Sequence, residues 1–376
     1  MSSLIATNPE LSTACARWSA AGEIGIDTEF VRERTYYPCP GLIQIADRNG
    51  VRLVDPLAVT SFEPLAGVLT DASVVKVMHA CDEDLEMLQL VTGVQPSPVF
   101  DTQLAAAFSG HGASLSYGGL VKTLLGVTVE KDETRSNWRQ RPLSPDQLRY
   151  AELDVTYLLP LHDRLSHALD ERGRTAWFKE EGGHRARARD LDSRTDQAYQ
   201  RVQGRGTLRP ADHAVLRALS QWRETEARAL DIPRRHLLTD HVLLSLATIR
   251  SVDAESLQEI RGLSTRMAGR YAERLAECVE TARTTGPDTR DRRRNLRRYA
   301  DTMKRLKQIV RHAAEATNLP AELLASRRTL ETLLVSVLNH DEVPAVFRGW
   351  RFRPVTDDLL RCLNDPRSGG DEPMSA

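Results

Sequence analysis

The chain has 376 residues, 41% of them hydrophobic and 27% charged, and its 51 basic and 52 acidic side chains leave a formal net charge of −1. At about 150 residues per domain that length predicts two or three domains with real cores, and the five scattered cysteines (Cys15, Cys39, Cys81, Cys278, Cys362), with no CxxC pair, exclude a disulfide scaffold and argue against a structural zinc. The opening MSSLIATNPELSTACARWSA has no basic segment leading into an apolar run, and no stretch approaches the ~20 apolar residues of a membrane span, so secretion and membrane insertion are disfavoured and a cytoplasmic location is expected.

The first stretch to organise the chain is Gly25-Ile26-Asp27-Thr28-Glu29-Phe30, which reads as a buried strand interrupted by two carboxylates. Residues two apart on a strand project from one face, so Asp27 and Glu29 point together while Ile26, Thr28 and Phe30 point away. Two adjacent acids repel each other unless a cation joins them, and oxygen donors of this kind suit Mg²⁺ or Mn²⁺. The alternative is an ion pair from Glu29 to Arg32 or Arg34, or a solvated edge strand. Next come Leu42–Ala46 and Val51–Val54, separated by Asp47-Arg48-Asn49-Gly50; the Asn-Gly signal predicts a hairpin and an antiparallel meander of three strands.

A helix is expected near Phe62–Leu69, a strand over Val74–His79, and a helix opening at Asp82-Glu83-Asp84, whose acidic first turn suits the helix dipole. Strand followed by helix implies a parallel continuation of the sheet. Val99–Thr102 reads as a short strand with Asp101 or Thr102 capping a helix over Gln103–Phe108; for Asp101, capping is the better reading than metal ligation. Leu115–Leu125 predicts another helix, Lys131–Pro142 a basic loop, and Pro145 the start of one long helix through Leu169, with Tyr150 and Asp154 four apart on one face. The polar, Gly-punctuated stretch from Lys179 to Gly206 reads as a connector. Beyond it lie two helical units that echo each other: each has an Ile-Pro or Leu-Pro step (Pro233, Pro320) followed by a Leu-Leu pair (Leu237-Leu238, Leu323-Leu324). Expected domains are 1–190, an α/β unit, then two small all-α units over 200–285 and 292–368.

A two-metal phosphodiesterase needs about four carboxylates and a group that orients the attacking water. Asp27 and Glu29 on one strand face, Asp84 on a helix, and Asp154 with Tyr150 one turn before it supply those parts. In these stretches the chain resembles the ribonuclease D family, in the tyrosine subclass of the DEDD superfamily of 3′→5′ exonucleases. The carriers are GIDTEFVRERTYYPCPGLIQIA, then VMHACDEDLEML with FDTQLAAAF, then WRQRPLSPDQLRYAELDVTYLLPLH, in the family's order across residues 23–162. Residues 205–283, through WRETEARALDIPRRHLLTDHVLLSLA, resemble the helicase-and-ribonuclease-D C-terminal (HRDC) domain, and 295–365 resemble a second one more weakly.

The resemblance implies a ribonuclease H-like mixed sheet, with its first three strands antiparallel, followed by two HRDC-type helical domains. It implies that Asp27, Glu29 and Asp154 ligate one divalent ion, Mg²⁺ or Mn²⁺, that Asp27 shares a second, and that Asp84 holds the second through water. Tyr150 would position the nucleophilic water, the alternative being a ring packed on the sheet. Phe30 is a candidate wedge against a terminal base, and Gln44 and His79 are candidate contacts to the 3′ nucleotide, with ordinary packing the alternative for each. Arg135, Arg139 and Arg141 are candidate phosphate contacts.

Charge is split along the chain: residues 1–160 carry 12 basic against 20 acidic side chains, and residues 161–376 carry 39 against 32. An acidic half suits metal gathering and a basic half a polyanion, so Arg292-Arg293-Arg294, Arg297-Arg298 and Lys304-Arg305-Lys307 are candidates for gripping an RNA backbone, although solvated helices carry the same letters. The implied activity is hydrolysis of RNA 3′ ends to nucleoside 5′-monophosphates, with tRNA precursors as substrates and no obligate protein partner. The alternatives are a DNA 3′→5′ exonuclease and a non-catalytic RNA-binding protein on a nuclease fold; an intact set of acids argues against the latter. With all the chemistry placed before residue 160, a chain ending near Leu191 is expected to keep cleaving short oligonucleotides.

Overall fold

A computed structural model describes residues 3–129, 136–188, 195–209, 211–249, 251–285 and 296–365. Strands β1 (Ser3–Ile5), β2 (Glu23–Val31), β3 (Cys39–Asp47), β4 (Gly50–Val54), β5 (Val75–Met78) and β6 (Val99–Asp101) form one mixed sheet in the order β1-β4-β3-β2-β5-β6. β2, β3 and β4 are antiparallel, while β5 joins β2 in parallel and β6 joins β5 in parallel. The hairpin forms where the sequence placed it, with Asp47 paired to Gly50. β1 and the helix α1 (Asn8–Ser19), held by a Thr7–Glu10 capping box, were not anticipated; the three-residue strand carries too short an alternation to be read, yet it covers the outer edge of β4.

Both faces of the sheet are covered. On one side Ile24, Ile26, Ile43 and Ile45 pack against α1, α2 (Glu63–Thr70) and α3 (Asp82–Thr92), so the period-two apolar set of β2 faces these helices. The other face meets α4 (Thr102–Phe108), α5 (Tyr117–Leu125), α6 (Pro145–Thr156) and α7 (Leu158–Glu171). Gly25 sits under α7, where an added Cβ would lie 3.0 Å from the Leu158 Cβ, so a side chain there would push the helix off the strand that carries Asp27 and Glu29.

The helix expected over Asp146–Leu169 is two helices, parted at Tyr157. Pro160, in the first turn of α7, has no N–H to continue the ladder and crowds the Thr156 carbonyl, and a distant hydroxyl, that of Tyr117, takes the backbone groups left at the break. The polar stretch after Lys179 also departs from expectation, because α8 (Thr175–Ala188) runs through its first ten residues.

The two helical units relate to the sheet in different ways. The first, with helices Asp212–Ala229, Asp240–Thr248 and Thr265–Thr284, builds its own core around Leu216, Leu219, Leu243 and Leu275. It touches the nuclease unit at the loop after β2: Asp231 Oδ1 accepts the backbone N–H groups of Tyr36 and Tyr37, at 3.0 Å each, and the Tyr36 hydroxyl meets Glu224 and Arg228. The last unit, with helices Ala300–Thr317, Arg327–Leu338 and Asp357–Asn364, shares one continuous core with α4, α7 and α8. Trp350 stands edge-on to Phe108 (centroids 4.9 Å apart) and stacks on Trp177 (5.6 Å). Beneath it a buried Arg351–Glu181 pair closes at 2.7 Å; burial pushes the Glu181 carboxyl up, and the Arg351 guanidinium outweighs it and holds the carboxyl below its ordinary range. The sequence echo between the units is visible as a one-turn helix after each proline, Arg234–Leu237 and Ala321–Leu324.

Candidate active site

Asp27 and Glu29 emerge from the face of β2 that meets α6 and α7, and Asp154 comes down from α6 to join them. One carboxylate oxygen from each of the three lies within 4.8 Å of the others. Asp84 arrives from the opposite side. It stands in the first turn of α3, and the Thr28 hydroxyl, which points away from Asp27 along the strand, donates to its Oδ1 at 2.5 Å. Four acids from a strand and two helices thereby converge around the second half of β2, from positions as far apart in the chain as 27 and 154.

The convergence is electrostatically costly. Burial pushes the Asp27 carboxyl well above its ordinary range, and Asp84, Asp154 and Glu29 add to the rise. Burial likewise raises Glu29 to about 8, helped by Asp154 and Asp84. Asp84 is raised to about 6 by burial, against the opposing hydrogen bond from Thr28. A divalent cation relieves such crowding, and an all-carboxylate set of this size fits a hard ion of the Mg²⁺ or Mn²⁺ type rather than zinc.

Tyr150 lies one helical turn before Asp154, half-buried, with its ring 5.9 Å from that of Trp138. Burial raises its hydroxyl, with Asp154 and Glu29 contributing, so at neutral pH it is a protonated donor and not a base. Trp138 is in turn pressed against Gly41, where a Cβ would come within 2.6 Å of the Trp138 Cβ.

The residues proposed to touch nucleotide fare differently. Gln44 pairs with Asp27 across β2 and β3 on the same face but is fully buried, with both amide atoms away from solvent. His79 is occupied within the protein: its ring nitrogens lie 2.9 Å from Thr102 Oγ1 and 3.2 Å from the Leu115 carbonyl. Arg141 forks onto Asp55, both contacts at 2.6 Å, and donates to the Gly41 and Trp138 carbonyls, so within the protein it fastens the loop. Arg139 is exposed, and Phe30 is partly exposed with its ring against the α1–α3 side of the sheet. Arg135 and the run Arg292-Arg293-Arg294 lie outside the described residues. Asp101 caps α4, accepting from the Gln103 and Leu104 amides, as its position in sequence suggested. Thr28 and Tyr117 were missed; nothing in a lone Thr or Tyr marks a partner 56 or 36 residues away.

A second group with metal-like spacing, Glu23, His162 and Asp163, is an ion-pair lock instead. Arg48 bridges Glu23 (2.8 Å) and Asp163 (2.7 Å), so both acids are already paired with a cation of the protein.

Family models place the same divisions on the chain: a 3′-5′ exonuclease over residues 3–170, an HRDC domain over 212–279, and a ribonuclease D C-terminal HRDC domain over 298–359. The chain is 37% identical to ribonuclease D of Pseudomonas paraeruginosa over 365 residues, covering 96% of both chains. It is 32% identical to ribonuclease D of Escherichia coli K12 over 369 residues, covering 96% of this chain and 98% of the relative. The crystal structure of the Escherichia coli enzyme, described as an exoribonuclease involved in structured RNA processing, superposes with a TM-score of 0.87 over 97% of this chain and 99% of that one.

Proposed function

The chain belongs to the ribonuclease D family of 3′→5′ exoribonucleases, acting on RNA, and from that premise we propose that Asp27, Glu29, Asp84 and Asp154 hold two divalent cations while Tyr150 orients the attacking water. The observation that carries this reading is the crowding of three carboxylates within 4.8 Å beside the second half of β2, with Asp84 alongside. When bound, Mg²⁺ or Mn²⁺ supplies charge stabilisation for the entering and leaving oxygens of the scissile phosphodiester. The protein's own part is placement. The register of β2 sets Asp27 and Glu29, Thr28 holds Asp84, and the helical turn from Tyr150 to Asp154 aims a hydroxyl at the water that an acid in the same turn helps to hold. The exposed Arg139 is the candidate, among the described residues, best placed to meet a phosphate beside the site.

The substrate we propose is a tRNA precursor with a 3′ extension, shortened from its end to release nucleoside 5′-monophosphates. The unit 1–190 carries the chemistry, and the helical units 200–285 and 292–368 grip the folded RNA through the basic excess of the second half of the chain. The five cysteines form no disulfide, which suits a reducing cytoplasm, and no described helix is long and apolar enough to cross a membrane. The test is turnover of end-labelled tRNA bearing a 3′ trailer, set against matched DNA, with Mg²⁺, with Mn²⁺ and in excess EDTA. Trimming of the RNA that stops in EDTA and returns with added metal is expected. Undiminished trimming in chelator rejects the metal reading, and equal degradation of DNA rejects the RNA preference.

Tyr150→Phe isolates the role of the hydroxyl, because it keeps the ring against Trp138 and deletes only the donor. An orienting hydroxyl predicts a fall in kcat of ~10²-fold at nearly constant KM. Wild-type kcat would leave the ring as packing.

A further inference from the structure

We propose that Tyr117 is a positioning residue for the active site: its hydroxyl, inserted into the hydrogen-bond ladder between α6 and α7, sets where Asp154 and Tyr150 stand. In an uninterrupted helix the Tyr157 N–H would donate to the Leu153 carbonyl four residues back. Here neither group meets the other directly. Tyr157 N–H donates to the Tyr117 hydroxyl at 3.0 Å, and that hydroxyl donates to the Leu153 carbonyl at 2.9 Å. One side chain thus satisfies both backbone groups at the break, which is where α6 ends and α7 turns away over Gly25.

The position of the break gives it consequence. Leu153 immediately precedes Asp154, and Tyr150 stands one turn earlier on the same helix, so fixing the Leu153 carbonyl fixes the last turn of α6 and the two side chains it presents to the sheet. Tyr117 is itself held firmly. It begins α5, behind a Ser116 cap, and its ring lies edge-on to His79 at 5.9 Å. His79 is anchored to Thr102 and to the Leu115 carbonyl, and Thr102 donates to the Met78 carbonyl at 3.0 Å. An unbroken chain of contacts therefore runs from the end of β5 through His79 and Tyr117 to the residue beside Asp154. The Asp154 and Asp27 carboxylates lie near enough to add to the rise that burial imposes on the Tyr117 hydroxyl. This arrangement also gives His79 a purpose other than touching RNA.

The proposal rests on the reading of Asp154 as a metal ligand, and its test separates the two. Tyr117→Phe keeps the ring against His79 and removes the bridging hydroxyl, leaving Tyr157 N–H and the Leu153 carbonyl free to close on each other. Three quantities are measured on the full-length protein: Mn²⁺ binding without RNA, by titration calorimetry; kcat and KM on an oligoribonucleotide at saturating Mn²⁺; and amide exchange at Tyr157. Groups that orient metal ligands typically carry 10- to 100-fold in affinity, so the Mn²⁺ dissociation constant is expected to rise about tenfold. In parallel kcat is expected to fall about tenfold while KM stays within roughly twofold, since RNA binding is untouched. The Tyr157 amide should change its protection as the ladder closes. A variant that melts earlier but binds Mn²⁺ and turns over like its parent overturns the proposal and leaves Tyr117 a structural tether. A parent protein that takes up no Mn²⁺ overturns the metal reading, and this proposal with it.

Discussion

Asp27→Asn abolishes RNA hydrolysis, lowering kcat by ~10³-fold or more, while leaving the metal-free protein at least as stable as its parent. The loss follows from Asp27 standing at the centre of the carboxylate group: without it the remaining acids no longer hold a cation where phosphodiester charge develops, an effect worth several kcal/mol. The stability half of the prediction follows from the raised carboxyls. Glu29 is raised to about 8 and Asp84 to about 6, whereas both titrate near 4 in the unfolded chain. Between those values the folded state binds more protons than the unfolded one, so these groups favour the fold at low pH, and that contribution is lost as pH rises through 6 and then 8. The melting temperature of the metal-free parent should therefore decline from pH 5 toward pH 9 through this site, and added Mg²⁺ or Mn²⁺ should recover more of it at the alkaline end. In Asp27→Asn one negative charge is gone, so the decline is shallower. Scanning calorimetry across that range, with and without metal, decides the matter: a variant that is markedly less stable at every pH makes Asp27 a structural residue.

The second large effect concerns the far end of the chain. Trp350→Ala lowers the stability of the nuclease unit itself by about 3–5 kcal/mol, the usual cost of emptying a buried indole site, although residue 350 lies almost two hundred residues beyond Asp154. Trp350 fills the space between Phe108 and Trp177, and Arg351 closes on Glu181 below it, so removing the ring opens a cavity against α4 and α8. For the same reason a chain ending near Leu191 is expected to lose its fold and its cleavage of oligonucleotides. Truncation there would expose Phe108 and the apolar flanks of α7 and α8, and would leave Glu181 buried-side down without its arginine. This departs from the expectation drawn from the positions of the candidate acids, which say where chemistry would sit and nothing about how far the shared core extends. The measurement is whether activity and tertiary structure are lost in one transition on heating Trp350→Ala, at a temperature well below the parent. A truncated chain that stays soluble and cleaves oligonucleotides would show the shared core to be dispensable.

Local spacing determined the parts of the site that are local. Asp27 and Glu29 share a face because strands repeat every two residues, and Tyr150 and Asp154 share one because helices repeat every 3.6; neither statement needs a partner element. The hairpin at Gly50, the cap at Asp101 and the twin proline steps at Pro233 and Pro320 are short-range signals of the same kind, and each stands where it was read. Tertiary structure decided everything that depended on what covers a given face. Gln44, His79 and Arg141 carry the letters of a nucleotide site, but whether a polar side chain meets solvent or a neighbouring helix is set by packing across the sheet. The break at Tyr157 has a local cause in Pro160, but the hydroxyl that takes the backbone groups left there comes from 40 residues away. The merging of the last helical unit with the nuclease core is likewise invisible in sequence, because burial is non-directional: the apolar faces of α8 and of the segment around Trp350 look like the faces of separate domains until they are found against each other.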